Sequence, residues 1–169
     1  MYQENFMKKA IDLSAQALSK PGTEPFGAVI VRNGRIVGEG LNHSLVHFDP
    51  TSHGEVEAIR DACRRLECVD LSECDIYTSC EPCALCVAAI AMAGIKQMYY
   101  AASLPQAGRA FANLTPAERH PVNLDQLRVE AGAAVENRTI AATQKLDGEA
   151  MTILKQWASW RKETSAGGA

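Results

Sequence analysis

Two short motifs, His53-Gly54-Glu55 and Pro82-Cys83-Ala84-Leu85-Cys86, constrain this chain more than anything else in it. Each falls where a helix is predicted to begin. Together they offer one imidazole and two thiols, donor types that zinc accepts in a tetrahedron. Cys83 and Cys86 are three positions apart, so on a helix they share a face and both address one ion. A helix N-terminus adds partial positive charge and unpaired N–H groups, which favour thiolate over thiol. A chain that uses both motifs on one ion must bring two helix starts to one point.

Three protein donors, His53, Cys83 and Cys86, leave the fourth position of a zinc site to water. Glu55, two residues after His53, cannot share the histidine's direction and need not be a ligand. Beside that water it can take a proton and later deliver it to a substrate. Zinc lowers the pKa of its water toward about 7, so the set reads as a hydrolytic centre. The rival is a closed structural site in which Cys80 joins the three donors, and with it a zinc-stabilised binding module without turnover. A structural site requires neither the carboxylate at 55 nor the proline at 82. Disulfides fit poorly, because all six cysteines crowd between Cys63 and Cys86 instead of spreading to staple distant loops. Cys63, Cys68 and Cys74 read as buried or incidental thiols, and His43, His47 and His120 lack partners at ligand spacing. Arg60, Arg64 and Arg65 read as a solvated helix face.

With 169 residues and 47% hydrophobic content, the chain is expected to form one domain over 1–169, with 165–169 a frayed tail. Its longest nearly apolar run, 83–95, is short of the roughly 20 residues a membrane-spanning helix needs. No basic stretch followed by an apolar one opens the chain, and the expectation is a cytoplasmic protein. A net charge of −3 argues against a nucleic-acid partner and fits a small-molecule substrate. Apolar periodicity predicts a helix over 4–19, and two strands over 26–32 and 35–41 are joined by Asn33-Gly34, a strong hairpin signal. A loop is expected over 42–50, a helix over 51–66, a strand over 75–79, a helix over 82–93 and a strand over 96–101. Beyond these, 108–123 reads as loop, 127–131 as a strand and 147–160 as a helix, with Pro105 ending any strand before it. Strands alternating with helices imply a layered α/β domain.

The two motifs, with Pro25-Phe26-Gly27-Ala28-Val29, Asn42, Asp49-Pro50-Thr51-Ser52 and Tyr77-Thr78-Ser79-Cys80-Glu81, make residues 4–101 resemble the guanine deaminase branch of the cytidine deaminase-like superfamily. The resemblance implies a three-layer α/β/α fold with a central mixed sheet of about five strands. It implies zinc held by His53, Cys83 and Cys86, with Glu55 as proton shuttle. Asn42 would hydrogen-bond the base, Phe26 and Ala28 would line its pocket, and the backbone around Ser79 and Cys80 would face the departing amine. Met92 stands where such enzymes carry tryptophan, and Asn113, in Phe111-Ala112-Asn113, where they carry an aspartate that reads guanine. An amide is no equivalent of a carboxylate acceptor. Ile90 to Ile95 and the Gly54 variant are equally similar to fungal cytosine deaminases. The implied activity is hydrolytic deamination of guanine or a related free amino-purine, with a cytosine or nucleoside deaminase, or a transfer-RNA adenosine deaminase, as alternatives. A homodimer is implied too, with a C-terminal helix, marked by Trp157 and Trp160, that crosses to the partner in some members.

Overall fold

The computed structural model describes residues 1–119 and 122–166. In chain order it contains α1 (Glu4–Ala15), β1 (Glu24–Arg32), β2 (Arg35–Asn42), α2 (Ser44–His47), α3 (Gly54–Leu66), β3 (Cys74–Cys80), α4 (Ala84–Met92), β4 (Gln97–Ala102), α5 (Leu104–Ala110), α6 (Leu124–Gly132) and α7 (Asp147–Ala166). The four strands make one mixed sheet in the order β2-β1-β3-β4, antiparallel except for the β3–β4 pair. Asn33 and Gly34 turn the β1–β2 hairpin with φ of 52° and 71°, the left-handed pair that matches strand twist.

Strand parity sorts the core into two layers. Val29, Val31 and Tyr77 face α1, where they bury Phe6, Met7, Ala10 and Leu13. Ala28, Ile30 and Ile76 face the other way, against Ala58 and Ala62 of α3 and Ile90 of α4. β1 is therefore apolar on both faces, and the sheet is covered on both sides, as the expected three-layer α/β/α fold requires. α3 lies close against β2 because Gly38 and Gly40 present no side chain to it. A methyl at Gly40 would drive into the Gly54 carbonyl and the Ala58 amide. Gly40→Ala is expected to destabilise the fold by roughly 1–3 kcal/mol, read as a lower denaturant midpoint, with the slope unchanged.

Several elements depart from expectation for local reasons. The 42–50 stretch is not all loop, since it holds the single turn α2. The helix expected from 51 begins at Gly54, because Asp49 captures the Thr51 N–H and hydroxyl in a turn and His53 is still extended. Pro82 lies two residues before α4 and not inside its first turn. Pro105 opens α5 instead of leading into loop, and Ser103 and Gln106 close a capping box there. Residues 127–131, expected as a strand, belong to α6. There Leu124 and Leu127, a helical three-residue pair, pack against the Val56–Cys83–Cys86 cluster. Without that strand the described residues hold four strands and not five. Ser165 and Ala166 continue α7, while 167–169 and His120 lie outside the described residues.

By internal contacts the chain divides into Met1–Ala131, which contains the sheet and both core layers, and Gly132–Ala169. The second unit holds a short 3-10 turn, Val135–Asn137, and α7, whose Ile153, Leu154, Trp157 and Trp160 are more than half exposed. Among the described residues no helix is long and apolar enough to cross a membrane.

Candidate metal and catalytic site

His53 and Cys83 occupy equivalent positions. Each is the N-cap of its helix, α3 or α4, with extended backbone (ψ of 155° and 173°) and no side-chain bond to the helix it caps. Capping side chains ordinarily turn back onto their own helix. These two turn to each other, with Cys83 Sγ 3.6 Å from His53 Nδ1. Cys86, in the first turn of α4, completes a triangle with Sγ 3.4 Å from His53 Nδ1 and 3.7 Å from Cys83 Sγ. A tetrahedral zinc ion with Zn–S near 2.3 Å and Zn–N near 2.0 Å spans donor edges of about 3.8 and 3.5 Å. The three donors thus fit zinc in kind and in spacing, and among the described residues they are the one cluster of three or more metal-ligand types.

The electrostatics suit a cation. The Cys83 thiol is pulled down to about 4, mainly by the hydrogen bond from Cys86 and then by His53, against the opposing effect of burial. Cys86 is pushed up by that shared bond and by burial. Holding one thiolate already formed beside an imidazole, the pair has donor density that a bound ion would satisfy. Cys80, at the end of β3, stands outside the triangle, and burial raises its thiol to about 11. Its place outside the triangle argues against the closed four-ligand site.

Glu55 sits in the first turn of α3 and is only 5% exposed. Thr78 Oγ1 donates to its Oε1 at 3.3 Å and Cys86 Sγ lies 3.3 Å from its Oε2. Burial pushes its carboxyl well above the usual carboxylate range. A carboxyl so poised, beside the donor triangle and outside it, is suited to move a proton.

These groups open into a cavity of about 280 Å³, just under the roughly 300–1000 Å³ of drug-sized ligand sites and suited to a single heterocycle. Of the pocket residues expected from sequence, Asn42, Phe26 and Cys80 line it. Asn42 is held in place by the Ser44 N–H, which donates to its Oδ1 at 3.0 Å. The others do not line it. Ala28 is fully buried in the core. The Ser79 side chain points to the α1 side of the sheet, where its hydroxyl accepts the Gly27 N–H at 3.0 Å. Met92 is 89% exposed at the end of α4, and Asn113 is exposed on the turn after α5. Glu24 and Arg119 line the cavity without having been expected. No local pattern ties two residues 95 positions apart.

A sequence model of the cytidine and deoxycytidylate deaminase zinc-binding region matches residues 1–102. Guanine deaminase of Bacillus subtilis (strain 168) is 44% identical over 110 residues, covering 65% of this chain and 70% of that protein. The tRNA-specific adenosine deaminase of Aquifex aeolicus (strain VF5) is 37% identical over 102 residues, 60% of this chain and 67% of that protein. Among solved structures, guanine deaminase from Bacillus subtilis superposes with a TM-score of 0.80 at 36% identity, over 94% of this chain and 95% of that one.

Proposed function

Because the chain belongs to the cytidine and deoxycytidylate deaminase zinc-binding family, we propose that it hydrolyses the exocyclic amine of guanine or a closely related free amino-purine, releasing ammonia. The observation that carries the reading is Glu55, buried beside an open triangle of three donors that line the same base-sized cavity. His53, Cys83 and Cys86 would hold zinc, which when bound supplies the Lewis acidity that makes water nucleophilic near neutral pH.

The protein's own groups do the rest. Phe26 offers an aromatic wall to the base, and Asn42 a buried amide to its polar edge. Glu55 takes a proton from the attacking water as the new C–O bond forms and passes it to the adjacent ring nitrogen. It then takes the remaining proton from the newly added hydroxyl and delivers it to the amine as the carbonyl forms and the C–N bond breaks, and ammonia leaves. Leu45, Phe48 and Leu104 contribute apolar side chains to the cavity lining.

The test is ammonia release by the zinc-loaded protein against guanine, cytosine, adenine, their nucleosides and a transfer-RNA stem-loop. Turnover is expected with guanine. Turnover of cytosine or of the transfer RNA alone would move the substrate and keep the chemistry, and silence on the whole panel with zinc bound would favour a binding module. We read 1–169 as one deaminase domain of a cytoplasmic enzyme. The exposed apolar side chains of α7 support a homodimer that exchanges this helix. Light scattering at twice the 18.3 kDa chain mass is the expected result.

A further inference from the structure

The wall of the cavity carries an ion pair that the chemistry above does not use. Arg119 directs Nε and Nη2 to a single oxygen of Glu24, at 3.2 and 3.1 Å. Its guanidinium also lies against two aromatic rings, 4.7 Å from the centroid of Phe111 and 5.6 Å from that of Phe26. The rings meet edge to face at 5.9 Å. Phe26 also lines the cavity, so the guanidinium packs on a wall of the same space that holds Glu55 and the donor triangle.

An exposed ion pair of this kind contributes little to stability. This one is 30% and 20% exposed, and two aromatic faces and a carboxylate set the plane of the guanidinium. Holding Arg119 through one oxygen leaves Nη1 and the second proton of Nη2 uncommitted among the described residues. An arginine fork of this kind matches two acceptors side by side, as it does at the O6 and N7 of guanine in nucleic acids. Those atoms lie across the purine from the C2 amine. A base whose amine faces the donor triangle turns N7 and O6 away from it, toward other residues that line the same cavity, Arg119 among them.

We infer that Arg119, oriented by Glu24 and packed on Phe26 and Phe111, reads the O6/N7 edge of the base and selects 2-amino-6-oxopurines. The inference rests on the amino-purine reading above. It moves discrimination from Asn113, which is exposed, to a residue whose place is set by Phe111 of the same segment.

The test compares guanine with 2-aminopurine, which keeps the ring and the amine but lacks O6. Dissociation constants are measured by calorimetry on zinc-loaded Glu55→Gln protein, where turnover does not interfere, with and without Arg119→Gln. Arg119→Lys is run beside it, since lysine keeps the charge and loses the fork. Each substitution is expected to lower the preference for guanine over 2-aminopurine roughly 10- to 100-fold. Equal weakening of both ligands, or an unchanged ratio, would make the pair a structural strut and overturn the inference alone. If guanine neither binds nor is turned over by the wild-type protein, the amino-purine reading fails first.

Discussion

Glu55→Gln is expected to keep the fold and the zinc content and to lower turnover of the preferred base by roughly 10²–10⁴-fold or more, the usual contribution of a positioned proton-transfer group. Glutamine preserves shape and can still accept from Thr78, but it cannot carry a proton from water to ring nitrogen to amine. The loss should fall on kcat, with binding of guanine retained. Activity within a few-fold of wild type would remove Glu55 from the mechanism. The same variant has a signature in the metal-free protein. Burial raises the Glu55 carboxyl above its ordinary value of 4.5, so the folded state binds a proton that the unfolded chain gives up more readily. That contribution is complete below the unfolded value and is lost as pH rises through the folded one. Metal-free Glu55→Gln should therefore melt at a higher temperature than metal-free wild type at neutral pH, and the difference should close toward about pH 4.

The second large effect is expected at the donor triangle. Cys83→Ser replaces the side chain that already exists as a thiolate with a hydroxyl of far higher pKa. Zinc affinity should fall by more than the roughly 10–100-fold that disturbing an outer partner of a metal site costs, and activity should fall with it. Zinc measured per chain after dialysis against a weak chelator is the readout. Cys80→Ser is the control, because Cys80 lies outside the triangle and holds its proton up to about 11. It should retain one zinc per chain. Loss of zinc there would restore the closed four-ligand site that spacing alone left open.

How far the site could be read in advance depends on how local each interaction is. Cys83 and Cys86 are one helical turn apart, and His53 precedes Glu55 by two residues, so helix geometry relates the members of each motif before any tertiary contact exists. The hairpin was equally local, because Asn33-Gly34 adopts left-handed backbone at little cost. Other features are not local in this way. The side chains of the neighbours Ser79 and Cys80 lie on opposite faces of β3, and only that of Cys80 lines the cavity. Leu124, Leu127 and Val129 suit a strand or a helix, and the packing of both leucines on the metal-site cluster decides for α6. Pro105 reads as a strand breaker until Ser103 and Gln106 make it the start of a helix.

From the chain of residues alone come the alternating α/β order, the donor set His53, Cys83 and Cys86, and the carboxylate at 55, because each follows from chemistry and spacing within a turn or two of backbone. Tertiary structure alone decides that His53 and Cys83 spend their capping positions on each other and that Cys80 is left out. It also decides that Glu24 and Arg119, far apart in sequence, meet across an aromatic pair at the cavity wall. The physical reason is range. Hydrogen bonding and backbone sterics act between near neighbours and leave a pattern in sequence, whereas burial, cavity shape and long-range ion pairing exist only after the sheet has brought distant segments together.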